Sequence, residues 1–176
     1  MKKIFSLATV VVLLFSTLST CAQHGKDKSK RLSPPANVSQ TIGSGAVIHI
    51  DYSQPSVRGR VIGDTLEPKA GVVWRTGANE ATFFETNKDI KINGHELPAG
   101  KYGFFTISGK DEWTIIFNKT WDQWGAFDYK SADDVLRVKV KPGKAAAFSE
   151  KMTFTIDKNG TVNLLWGDIQ VGFEVK

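Results

Sequence analysis

Arg75, Asn79 and Glu80 fall within six positions of "KAGVVWRTGANEATFFET", Lys69 to Thr86, after an apolar run and before a Thr/Phe run. A half-buried strand has no need of them there. A guanidinium offers a planar fork of donors suited to a carboxylate or a phosphate. Asn79 follows Gly77 closely and tolerates left-handed backbone, so it suits a turn. Glu80 could accept from Arg75, or serve as a general base if buried. Arg58 and Arg60 lie in a second irregular stretch, Ser53 to Gly71, which is long for a connection. A third, Asn118 to Asp134, places Trp121, Trp124, Phe127 and Tyr129 within nine residues.

Each group carries two readings. Arg58, Arg60 and Arg75 either converge on an anionic ligand or pair with Glu80 or Asp51 and tie loop to sheet. The aromatics either cap an open end of the fold, each burying ~150–250 Å², or form a stacking platform for a sugar or other flat ligand. In the second case Asp122 and Gln123 place hydrogen-bonding groups beside Trp121 and Trp124. His24, His49 and His95 are scattered without metal-ligand spacing. His49 and Asp51 share one strand face, which fits a two-ligand site or, more simply, a solvent-facing histidine. Asp133 and Asp134 could bind calcium or begin the next strand. There is no G-x-S-x-G elbow and no phosphate loop, and no metal or cofactor is expected.

The elements that must position these residues alternate with period two. "AVIHIDY" sets Ile48, Ile50 and Tyr52 against Val47, His49 and Asp51. "DVLRVKVK", "KMTFTI" and "IQVGFEVK" repeat the pattern, as half-buried antiparallel strands do. Asn93-Gly94 and Asn159-Gly160 read as two-residue type I′ hairpin turns. "IGSG", Ile42 to Gly45, reads as a hairpin turn, and "LPAG", Leu97 to Gly100, as a tight turn into the strand "KYGFFTI". Only "GKAAAFSEK", Gly143 to Lys151, suggests a helix. The expected fold is all-β, a single antiparallel β-sandwich with at most one short helix; a jelly roll or partly closed barrel is the alternative.

Residues 1–22 read as an export signal: Lys2 and Lys3, an apolar run from Ile4 to Leu18, then small residues. The single cysteine, Cys21, either becomes the lipidated first residue of a lipoprotein or is removed by cleavage after Ala22. The mature fold then has no disulfide and no cysteine chemistry. Residues 23–35, with "HGKDKSKR" from His24 to Arg31, read as a solvated, disordered tether, and the β-sandwich domain as 36–176. The full chain carries +5; without Lys2 and Lys3, its 21 basic and 18 acidic residues leave +3. That mild balance in an exported chain without a matching motif argues against nucleic-acid binding. The expected location is the periplasm or an outer-membrane anchor through Cys21 in a Gram-negative envelope.

The runs "SPPANVSQTIG", "IDYSQPSVRGR", "VWRTGANEAT", "INGHELPAGKYGFFTI", "DEWTIIFNK", "QWGAFDY" and "DVLRVKVKP" resemble, in order, an exported bacterial family known as domain of unknown function 2911. The resemblance runs from about Ser33 to Trp166 and implies export and a single domain. It implies no mechanism, substrate or catalytic residue. On the residues themselves three functions compete. The first is a non-enzymatic envelope module binding a glycan or anionic small molecule through Arg58, Arg60, Arg75, Asn79, Glu80, Trp121 and Trp124. The second is a structural or protein-interaction lipoprotein. The third is a hydrolase using Glu80 or Asp51.

Overall fold

A computed structural model describes residues 27–176. The expected export signal, Cys21 and residues 23–26 of the expected tether lie outside the described residues. Among the described residues no helix is long and apolar enough to cross a membrane.

Among the described residues the alternating segments form eleven strands. They are β1 (Pro35–Thr41), β2 (Val47–Ser53), β3 (Val73–Trp74), β4 (Phe83–Thr86), β5 (Ile90–Ile92), β6 (His95–Leu97), β7 (Gly100–Ile107), β8 (Trp113–Asn118), β9 (Asp134–Val140), β10 (Gly143–Ile156) and β11 (Thr161–Glu174). A large antiparallel sheet runs β1-β2-β4-β7-β8-β9, with β3 also paired to β7. β10 with β11, and β5 with β6, make two small sheets. The fold is the expected all-β antiparallel sandwich, and among the described residues no closed barrel forms.

The core lies where the apolar faces meet. Ile48, Ile50 and Tyr52 of β2, and Met152, Phe154 and Ile156 of β10, are buried as their alternation requires. Rings weld the layers: Phe104 lies 5.6 Å from Phe154 and 5.9 Å from Phe173, and Phe117 lies 6.2 Å from Phe173. Most of these pairs meet edge to face, the arrangement their quadrupoles favour.

Two local expectations are corrected. "GKAAAFSEK" is not a helix but the first part of β10. Its alanines carry helix propensity, but pairing with β11 overrides that weak preference. Lys144 pairs with Ile169 and Ser149 with Gly167, so Ala145 to Phe148 bulge opposite Asp168 alone. The turn at Asn159-Gly160 is also not type I′. It spans Asp157 to Gly160, closed by Asp157 N–H to Thr161 C=O at 2.8 Å, and only Gly160 has positive φ, 92°. Asn93-Gly94 does form the expected turn, with φ of 47° and 87°.

β11 would span roughly 45 Å if straight. Instead it doubles back near Gly167: Gln170 donates to Asn163, and the Val175 N–H to the Gly160 C=O. This return presses Gly160 against Val175, where a Cβ would overlap the Val175 carbonyl oxygen. At Gly94 an added Cβ meets nothing within 4 Å. Gly94→Ala is therefore expected to cost about 1 kcal/mol, the left-handed penalty alone. Gly160→Ala should cost about 3 kcal/mol or more, because overlap adds to that penalty. Urea midpoints of the two variants measure the difference.

Candidate functional site

The site begins with an interruption in the large sheet. β3 and β4 lie end to end along the same side of β7. Trp74 pairs with Thr106 and Phe83 with Gly103. Only Phe104 and Phe105 separate those two partners on β7, yet Arg75 to Thr82 separate Trp74 from Phe83. Eight residues opposite two must leave the sheet as an excursion. Its backbone is held at several points: Trp74 Nε1–H donates to Gly77 C=O at 3.1 Å, Thr82 Oγ1–H to Thr76 C=O at 2.8 Å, and Ala81 N–H to Gln123 C=O at 2.9 Å. Thr76 is fully buried at φ 50°, with its hydroxyl 3.1 Å from that of Thr106. A β-branched residue in that region stores about 1–3 kcal/mol of strain, which persists only where the surroundings over-determine it.

The Asn118–Asp134 stretch folds over the outer face of the same sheet. Buried Asn118 clamps its two ends, donating to Lys130 C=O at 3.0 Å and Asp134 Oδ1 at 2.8 Å. Phe105 and Ile116 point outward here and form a second small core with Ala81, Ala126 and Tyr129. The Tyr129 hydroxyl donates to Asp134 at 2.7 Å and accepts from Arg137 at 2.8 Å. Burial and the Asp134 carboxylate push its pKa up to about 12. Asp134 thus begins β9, in line with the simpler of the two readings of the Asp133/Asp134 pair. Among the described residues no group of three or more His, Cys, Asp or Glu could hold a metal ion.

The third component is the N-terminal segment. Lys28–Lys30 form a single 3-10 turn. Arg31 Nη1 donates to Glu80 Oε2 at 2.7 Å, and Lys28 Nζ lies 3.1 Å from Glu80 Oε1. Asn79 stands at φ 58° and donates from Nδ2 to the Ser33 C=O at 3.0 Å. The Arg31 guanidinium sits 5.9 Å from the Trp124 ring centre. Burial alone would raise the Glu80 carboxyl, but hydrogen bonds from Arg31, its own backbone and Lys28 overcome it and hold the pKa at about 2.

Excursion, loop, N-terminal segment and β2 enclose a cavity of about 170 Å³. Its working groups are Lys28, Arg31, Asp51, Glu80, Trp121 and Gln123, with Phe83 and Asp122 beside them. Asp51 projects from the outer face of β2 and accepts no hydrogen bond from the described residues. Burial raises its pKa against the pull of His49, Lys101 and Lys28. Gln123 is only 7% exposed; its amide donates to Thr120 C=O at 2.8 Å, while Oε1 is buried with no partner. Trp121 meets Phe83 edge to face at 5.9 Å, and the Lys101 ammonium lies 3.7 Å from the Trp121 ring centre. The loop can close this tightly because Gly103 lies beneath it: a Cβ there would come within 2.8 Å of Thr120 O.

Of the expected site residues, Glu80 and Trp121 line the cavity. Trp124 and Asn79 adjoin it, through the backbone bridge from Trp124 to Glu80 and the Gly125 N–H bonded to Asn79 C=O at 3.0 Å. Arg58 and Arg60 do not line it. Arg60 donates to Val57 and Ser56 carbonyls, and the Arg58 N–H to Glu150 Oε1, binding their own loop to β10. Arg75 does not pair with Glu80. It lies beneath Gly125, burial lowers its pKa, and its Nε has no partner. The partners of Glu80 come instead from Lys28 and Arg31, which charge alone had assigned to a tether. Phe83 was hidden within a strand, while Gln123 was legible only as a neighbour of the tryptophans.

Because the folded-state pKa of Glu80 lies below its ordinary 4.5, its contribution is complete above about pH 4.5 and is lost as pH falls towards 2. Glu80→Gln removes it at every pH. A partly exposed ion pair is worth about 1 kcal/mol, so trypsin should cut after Arg31 about fivefold faster in Glu80→Gln than in the natural protein at pH 8. The chain matches no curated protein and no solved structure. The family model described as "Protein of unknown function (DUF2911)" matches residues 33–175, from the serine that holds Asn79 to the valine that closes on Gly160, and the chain belongs to that family.

Proposed function

We propose that this protein is an envelope small-molecule-binding domain whose site is the cavity between the N-terminal segment and the large sheet. Its ligand is a hydroxyl-rich molecule of the size of one sugar unit. The observation that carries this reading is one cavity lined both by an aromatic wall, Trp121 edge to face with Phe83, and by the half-buried carboxylate of Asp51, which accepts no hydrogen bond from the described residues. A desolvated acceptor left without a hydrogen bond costs about 1–3 kcal/mol, and a ligand hydroxyl recovers it. A few well-placed polar groups beside aromatic surface are the usual composition of a ligand site.

The anionic alternative loses its residues. Arg58, Arg60 and Arg75 are not among the cavity's lining residues, and Arg31 and Lys28 are both already held in ion pairs by Glu80. Glu80 is also unsuited to act as a general base, since a carboxylate held at about pKa 2 binds protons weakly. The internal pairing of Asn79 and Glu80 favours a structural role for those two residues.

Thermal melting of the purified protein against neutral sugars, organic acids and phosphates tests this. A neutral sugar at 100 times its dissociation constant should add about 2.7 kcal/mol, and the anions nothing. Asp51→Asn, which breaks no hydrogen bond within the fold, should leave the unliganded Tm unchanged and shrink the sugar-induced shift. A flat panel would overturn the binding reading in favour of the structural one.

A further inference from the structure

Resting on the sugar-binding reading, we propose that the site extends beyond the cavity across Glu80 and the face of Trp124, that it takes an oligosaccharide, and that the N-terminal segment occupies the extension until displaced. Trp124 is 53% exposed, which leaves part of its ring surface open to a ligand. It adjoins the cavity through its backbone bridge to Glu80. The one group placed over its ring is the Arg31 guanidinium, which also donates to Glu80 at 2.7 Å. A flat group carrying N–H donors, lying over an indole and bonded to the carboxylate beside it, makes the contacts a sugar ring would make there with its C–H face and hydroxyls. Arg31 thus stands in for a second ring. The cavity itself, at about 170 Å³, is some six waters of liquid volume and admits one ring, so a longer chain must continue over Trp124.

The segment is built to leave. From Asp27 to Ser33 its backbone joins the rest of the domain only through the Ser33 carbonyl, which accepts from Asn79. Its other backbone hydrogen bonds are local, Lys30 to Asp27 and Arg31 to Lys28, and its 3-10 turn buries no residue. Backbone bonding to the domain resumes only where the Gln54 N–H donates to Pro34 C=O at 2.8 Å, directly before β1. Few buried contacts and no ladder define an element at the low-stability end of a fold. Pro34 and Pro35 give the lifted segment a stiff, defined hinge. Lifting it moves Lys28 and Arg31, two of the cavity's own walls, and leaves β1 paired.

A segment docked about nine-tenths of the time weakens binding to the extended site about tenfold. The test is calorimetric titration of the full chain, natural and Lys28→Ala/Arg31→Ala, with glucose, maltotriose, N-acetylglucosamine and its trimer as probes. The expected result is that for at least one sugar the ratio of trimer to monosaccharide affinity rises about tenfold in the variant, whatever the loss of Lys28 and Arg31 does to the monosaccharide itself. A ratio that is unchanged or smaller in the variant, with the monosaccharide still bound, overturns the extended site and leaves the cavity reading standing. Equal gains for monomer and trimer are one such case, since the segment would then gate only the cavity. No binding of any probe by either protein overturns both readings. Trp124→Ala in the variant background separates contact from release: it should abolish the trimer's advantage and leave the monosaccharide unaffected.

Discussion

Everything at the site depends on two residues of β7 that pair with β8 on one edge and have no strand beside them on the other. Phe104 and Phe105 lie opposite the gap between β3 and β4, and their alternation does two jobs at once. Phe104 turns inward, stacks on Phe173 and meets Phe154 edge to face, joining the large sheet to the small one. Phe105 turns outward and anchors the second small core, on which the Trp121–Tyr129 loop rests. The excursion Arg75–Thr82 fills the gap and is gripped from both sides, by Trp74 within the core and by Gln123 from the loop. A rigid scaffold with one interrupted strand thus presents a polar loop in a fixed shape, at the cost of a buried threonine in left-handed backbone.

The polar residues of the excursion divide their work along the chain. Arg75 stays low, beneath Gly125 and partly desolvated. Asn79 and Glu80 reach outward and hold a segment that precedes the first strand. The low pKa of Glu80 follows from that grip, and the raised pKa of Asp51, in the same cavity, follows from burial. Two carboxylates in one site are pushed in opposite directions, one by hydrogen-bonded partners and the other by desolvation. Asp51 is left in the cavity lining without a hydrogen bond from the described residues.

Much of the scaffold was legible because strand alternation is a local signal. Any two residues two apart on a half-buried strand share a face, whatever the strand pairs with. Hence Asp51 could be placed on the face opposite Ile50 and Tyr52, and the three irregular stretches stood out by failing to alternate. The misreadings have the same origin. Ala145 to Ala147 look helical in isolation, and only a long-range partner in β11 makes them a bulged strand. Asn159-Gly160 looks like Asn93-Gly94, but the doubling-back of β11 onto Gly160 imposes a longer turn there.

By itself, then, the chain's order of residues determined the all-β class, the inward and outward faces of the strands, and which segments must leave the sheets. These follow from periodicity and turn chemistry, which act over a few residues. Tertiary structure alone decided which of those segments meet. It brought Arg31 forty-nine residues along the chain to Glu80, set Gln123 behind the excursion, and sent Arg58 and Arg60 to the far loop on β10. Such encounters depend on strand order and on the aromatic packing between sheets, and no local pattern encodes either. A guanidinium finds its carboxylate through the fold, and charge along the sequence is silent about which one.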